Sequence, residues 1–247
     1  MLSNLIRQLY VKSKRIIEDH GLMGEYVRVY VRGAREVIGV PSISEYAILK
    51  GREVMIEAVF NGYRGQAFTS SPGQFSGALR DVFKLDLQDL KNRSIFIAVL
   101  NAVMAYLGFT DRTVHCKSDF PDTCSKMLVS YLKELNVERV GLIGYQPSML
   151  KSLSESKFNV RVADANPDNI GKVKFGVSIE PPNLDEEIIC WSDIALVTGS
   201  VFVNGSLDEI LPKYKNKIII YGVSGAAASK ILGFRRWCIS NERVYLG

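Results

Sequence analysis

The stretch Asp193-Ile-Ala-Leu-Val-Thr-Gly-Ser-Val-Phe-Val-Asn-Gly-Ser-Leu-Asp-Glu-Ile-Leu211 decides how the chain folds. Residues 194–197 are apolar without a break, as in a strand covered on both faces. A small polar loop follows. Asn204-Gly205-Ser206 then carries residue types that open a helix, which puts Leu207 to Leu211 in that helix. A strand running into a helix N-terminus exposes backbone N–H groups beside the positive end of the helix dipole. The stretch therefore reads as a site for an anion or a polar ligand.

Working outward, strands and helices alternate through the second half. Arg139 to Gly144 is a short apolar strand ending in glycine, Pro147 to Glu155 a helix, and Asn159 to Ala163 a strand. Leu184 to Trp191 is helical, Lys217 to Tyr221 a strand, Ala226 to Leu232 a helix and Arg243 to Leu246 a last strand. This alternation predicts a mainly parallel sheet with helices on both faces. Ligands of such sheets sit beyond the carboxyl ends of the strands. Those ends carry Gly144-Tyr-Gln-Pro147, Asp164-Ala-Asn-Pro167, Thr198-Gly-Ser200 and Gly222-Val-Ser-Gly225. Any one of these loops could be plain turn chemistry, but four along one edge predict a cleft. Asp164 follows the first glycine loop at the distance of an acid that grips a ribose. The full Gly-x-Gly-x-x-Gly pattern is absent, however, because Gly141 and Gly144 are wrongly spaced and Pro147 stands where the helix opens.

The first half reads differently. Residues 2–19 form an amphipathic helix that Ser3 can cap. Val27, Val29 and Val31 alternate with Arg28, Tyr30 and Arg32, the period of a half-buried strand. Gly39-Val-Pro41 punctuates. Glu53 to Phe60 and Tyr63 to Thr69 flank Asn61-Gly62, a hairpin signal. Arg93 to Phe109 is apolar nearly all round and belongs in the interior, with Asn101 its conspicuous polar residue. Asn101 is either a satisfied core amide or a side chain facing a cleft. A small sheet followed by helices is an α+β arrangement.

His115, Cys116, Asp119 and Cys124 gather soft and borderline metal ligands in one short segment. No Cys-x-x-Cys is present, and His20 is the other histidine of the chain. Metal binding, a Cys116–Cys124 disulfide and a reactive Cys124 near a helix start all remain open readings. Asp119 or Asp122 could cap a helix running from about Thr123 to Leu135.

Bulk properties narrow the class. The 247 residues are 47% hydrophobic and 23% charged, with net charge +5 from scattered basic residues. That suits a soluble protein and gives no nucleic-acid footprint. The longest apolar run is too short to cross a bilayer, and no secretory signal is visible, so no membrane association and a cytoplasmic location are expected. Four cysteines do not make a disulfide framework in a chain of this length.

Gly141-Leu-Ile-Gly-Tyr-Gln-Pro147, Asp164-Ala-Asn-Pro167 and above all Thr198-Gly-Ser-Val-Phe-Val-Asn-Gly-Ser-Leu-Asp-Glu-Ile-Leu211 resemble the heavy-metal chelation family. Leu100-Asn101-Ala102 and Thr113-Val-His-Cys116, with Pro121 and Cys124, resemble its archaeal members. The resemblance implies an enolase-N-terminal-like α+β domain over 1–135 and a Rossmann-like domain over 136–247, with a site between them. Expected ligand-binding residues are Asn101, Gly144, Asp164, Asn166, Thr198, Gly199, Asn204, Gly205, Ser206, Gly222 and Ser224. The expected partner is a small molecule or a divalent or heavy metal ion, and a homo-oligomer is open. An enzyme that binds a nucleotide-type or adenosylmethionine-like cofactor at the strand ends is the alternative.

Overall fold

In the computed structural model, residues 2–39, 48 and 53–239 are described. The expected terminal strand at 243–246 and the Val40-Pro41 punctuation lie outside them. The first half builds a four-stranded antiparallel sheet in the order β3-β2-β1-β4, from β1 (Tyr26–Arg32), β2 (Val54–Phe60), β3 (Tyr63–Thr69) and β4 (Phe75–Ala78). Asn61 and Gly62 both have positive φ, 47° and 81°, as a two-residue turn matching strand twist requires. In β1, Val27 and Val29 are buried but Val31 is exposed, so the alternation fades at the strand end. Ahead of this sheet, α1 (Asn4–Asp19) begins at Ser3, whose hydroxyl accepts from the Ile6 N–H as expected, and the short helices α2 (Ala34–Ile38) and α3 (Leu79–Val82) follow β1 and β4.

Helix α4 (Leu90–Tyr106) is buried from Arg93 to Ala105 because it has neighbours on every side. It packs on β2 and β3 on one side, and on α8 (Val201–Asn204) and α9 (Ala226–Leu232) on the other. The approach to β3 is close. A Cβ on Gly65 would lie 2.1 Å from the Ala102 nitrogen and 2.5 Å from the Ala98 oxygen. Both are helix backbone and cannot swing aside. Gly65→Ala is expected to destabilise the protein by about 3 kcal/mol, measured by urea denaturation.

The second half supplies a seven-stranded sheet in the order β11-β10-β9-β5-β6-β8-β7. Its strands are β5 (Arg139–Ile143), β6 (Asn159–Ala163), β7 (Val173–Lys174), β8 (Val177–Glu180), β9 (Ile194–Thr198), β10 (Ile218–Tyr221) and β11 (Arg235–Trp237). Only the β7–β8 pair is antiparallel. Numbered along the chain, the six parallel strands stand in the order 3-2-1-4-5-6 of a doubly wound sheet, with the direction of winding reversing between β5 and β9. The unbroken apolar strands now have a cause. Ile194, Leu196, Ile219 and Tyr221 face α5 (Phe120–Glu134) and α6 (Pro147–Glu155). Ala195, Val197, Ile218 and Ile220 face the core shared with α4, α7 (Asp185–Trp191) and α9.

No helix starts at Asn204. Helix α8 ends there, and Gly205 closes it with φ 75°, a left-handed cap. Residues 207–217 run in turns. Asp208 explains the diversion, since its carboxylate is drawn inward onto Arg93 at 2.8 Å. Asn204 instead folds its side-chain oxygen onto the Ser206 N–H, 2.9 Å. The real helix start, at Ser200 and Val201, belongs to a four-residue helix with little dipole to offer.

Candidate functional site

The ends of β5, β6, β9 and β10 open onto a cavity of about 470 Å³. It lies at the reversal point between β5 and β9, where a doubly wound sheet leaves its crevice. Phe68 of the antiparallel sheet and Glu53 just before β2 close it from the other side.

Tight backbone contacts fix the strand ends. A Cβ on Gly144 would meet Thr198 Cγ2 at 2.8 Å and the Tyr221 hydroxyl at 2.9 Å. Tyr221 Oη donates to the Gly144 carbonyl at 2.7 Å, which ties the end of β10 to the end of β5. Burial holds that phenol well above its usual pKa, so it stays a donor. Gly199 abuts the next loop, where a Cβ would fall 2.2 Å from the Gly225 nitrogen. Asp164 is heavily used by the protein itself. Its carboxylate accepts from Tyr145 N at 2.7 Å, Asn166 N at 2.8 Å and Asn169 Nδ2 at 3.0 Å. It thus holds the β5 and β6 loops together before any ribose could reach it. The Ser224 hydroxyl accepts from Phe68 N, 2.9 Å, and links the two sheets at the cavity wall.

Of the residues singled out in the sequence, Gly144, Asp164, Asn166, Thr198, Gly199, Asn204, Ser206, Gly222 and Ser224 line the cavity. So do His115, Cys116 and Cys124. Asn101, Gly205 and Asp119 are not among the lining residues. Asn101 is fully buried and works behind the wall. Its Nδ2 donates to the carbonyls of Gln66 and Val223, and its Oδ1 accepts from Ala227 N at 2.8 Å. The core-amide reading is the one its geometry matches. Gly205 serves the α8 cap beside Arg93. Asp119 stands at the start of α5 without a side-chain capping bond, and Asp122 instead accepts from the Ser148 hydroxyl.

The cysteines are thiols, so no Cys116–Cys124 disulfide forms. Cys124 lies inside α5, and burial raises its pKa where a helix N-terminus would have lowered it. Burial lowers the His115 pKa, leaving a neutral ring stacked edge-on against Phe68 at 5.4 Å. Among the described residues, no three His, Cys, Asp or Glu side chains converge as a metal cage.

Two acids of the cavity escaped the sequence reading. Asp185, at the first turn of α7, is only 6% exposed, and among the described residues its Oδ1 has no hydrogen-bond partner. Burial, then the charge of Asp164, pushes its pKa up to about 7. Glu53 is raised for the same two reasons in the same order. Asp185 looks in sequence like an ordinary first-turn helix acid, and only the tertiary fold turns it inward. A carboxyl whose folded pKa exceeds its unfolded value stabilises the fold at low pH, and that contribution is lost as pH rises toward about 7. Asp185→Asn is therefore expected to be more stable than the parent at pH 8, by on the order of 1 kcal/mol or more, with the gap closing near pH 4. Thermal melts across that pH range check it.

Residues 127–235 match the model of the family described as "Putative heavy-metal chelation". No curated protein matches the chain. The structure of a DUF364 family protein of unknown function from Pyrococcus horikoshii aligns over 88% of this chain and 80% of that one. The identity is 19% and the TM-score 0.56, a likeness of fold. Another, a DUF364 family protein of unknown function from Desulfitobacterium hafniense DCB-2, covers 67% of this chain and 66% of its own at 16% identity and TM-score 0.47. No described helix is long and apolar enough to cross a membrane. In sequence over residues 127–235, and in mixed α/β fold over most of its length, this chain resembles the DUF364 family.

Proposed function

We propose that this protein binds a small organic molecule in the cavity at the strand ends, between an enolase-N-terminal-like half and a Rossmann-like half. The observation that carries the reading is the cavity itself. It has about 470 Å³ of space at the point where the winding of a parallel sheet reverses, lined by both apolar and polar groups. Heavy-metal chelation, the description of the matching family, enters through that molecule. His115, Cys116 and Cys124 border the same space and can offer soft donors to a metal that the molecule already holds. They do not suffice as a protein-only cage among the described residues.

Native mass spectrometry and elemental analysis of protein purified without a metal-affinity tag test this. The expected result is an organic adduct, with metal present only in adduct-bearing protein. Stoichiometric metal on protein freed of small molecules, abolished by Cys116→Ser or His115→Ala, would overturn the reading and place the metal on the chain.

A further inference from the structure

Among the described residues, the charge lining the cavity is opposite in sign to that of the chain. The protein carries net charge +5, with 31 Lys and Arg. Yet among the described residues lining the cavity there is no Lys or Arg, while Glu53, Asp164 and Asp185 all contribute to its wall. A cavity built for phosphates would present the reverse, basic side chains.

The three acids differ in what they have left to give. Asp164 is occupied by Tyr145, Asn166 and Asn169. Asp185 is more than nine-tenths buried, and its Oδ1 meets no donor. An orphaned carboxylate oxygen in a native interior is destabilising unless something completes it. No described donor of the wall reaches it. A ligand donor would, and a cationic donor would complete it best, because charge-assisted hydrogen bonds are the stronger kind.

We propose that the cavity selects a cationic organic ligand, an amine or amidine whose charged nitrogen donates to Asp185 Oδ1 while its apolar body lies against Phe68, Met149 and Trp237. This rests on the reading of the cavity as a small-molecule site and adds the class of molecule. Glu53 and Asp164 reinforce the negative field without needing direct contact. The other charged and titratable groups lining the cavity are Asp164 on the β6 loop, Glu53 from the antiparallel half, Tyr145, Cys116, Cys124 and Cys238, and then Tyr221 at the end of β10 and His115 before α5. The last two are neutral at pH 7, by the directions of their shifts. Asp185, which makes the contact, leads the pH response, with Glu53, also raised by burial, adding to it, and a bound cation competes with the Asp185 proton.

The probes are benzamidine, benzamide and benzoate, three molecules of one shape and three charges, titrated by calorimetry and by ligand-observed NMR. Benzamidine is expected to bind at least tenfold more tightly than benzamide, with benzoate weakest. Its affinity should be about tenfold lower at pH 6 than at pH 8, as protonation of a group near pKa 7 removes its partner. Asp185→Asn should abolish the preference for benzamidine and its pH dependence. Glu53→Gln, which leaves the orphaned oxygen in place, should only weaken the preference. Equal binding of all three probes would overturn the cationic selection while leaving the cavity as a small-molecule site. Failure of all three to bind at millimolar concentration would overturn both. Zinc or manganese binding that depends on Asp185, with no benzamidine binding, would also overturn the proposal and assign the acids to a bare metal ion.

Discussion

Replacing Asp208 with alanine is expected to cost about 4 kcal/mol, because it leaves a guanidinium buried without its counter-charge. Arg93 Nη2 sits 2.8 Å from each carboxylate oxygen of Asp208, and Arg93 Nε donates to the Phe202 carbonyl at 2.8 Å. Arg93 and Asp208 are both nearly closed to solvent. The Ser3 hydroxyl also donates to Asp208, 2.6 Å, so one carboxylate joins the start of α1, the start of α4 and the turns after α8. Gly205 belongs to this arrangement, since a Cβ there would stand 2.8 Å from Arg93 Nη1. A paired replacement, Arg93→Met with Asp208→Leu, should recover much of the loss, because apolar groups of similar volume need no partner. Urea denaturation of the three proteins checks both statements. A double variant as unstable as Asp208→Ala would mean that the geometry, rather than the unpaired charge, sets the cost.

Asn101→Leu is expected to destabilise by about 3 kcal/mol or more, from the loss of several buried hydrogen bonds and one orphaned donor. The amide reaches from α4 to Gln66 of β3, and to Val223 and Ala227 around the start of α9. Its Oδ1 caps Ala227 N from more than a hundred residues away, which helix-end signals in sequence never reveal. The Val223 carbonyl keeps a bond from Ala226 N, so Ala227 N and the Gln66 carbonyl are the groups left bare among the described residues. Ligand binding should weaken in step with loosening of the Val223–Ser224 wall. Hydrogen exchange at Ala227 reports that loosening directly. Unchanged protection there would show that Asn101 does not hold the wall.

The parallel half was legible because its signals are local. Residues 159–163 and 226–232 took the expected strand and helix, since unbroken apolar runs and flanking Gly or Pro mark them without tertiary help. The hairpin at Asn61-Gly62 was legible for the same reason. The β7–β8 hairpin was missed. Its strands are two and four residues long and carry too little pattern. Strands β4 and β11 are similarly short. The expected helix after Asn204 failed because Asn-Gly closes a helix as readily as it precedes one, and the Arg93–Asp208 pair decides between them. The site was half legible. Strand-end loops announce themselves by Gly, Pro and small polar residues. Glu53 and Asp185 do not, because an acid ahead of a strand or in the first turn of a helix is ordinary until folding buries it.

The strand-end cavity is the place we propose for the ligand. A crystal structure of protein isolated from its native source with its adduct retained tests that claim most directly. The account predicts ligand density between Thr198, Phe68 and Asp185, with a donor on Asp185 Oδ1. Density for the adduct on any other surface, with the cavity filled only by water, would contradict it.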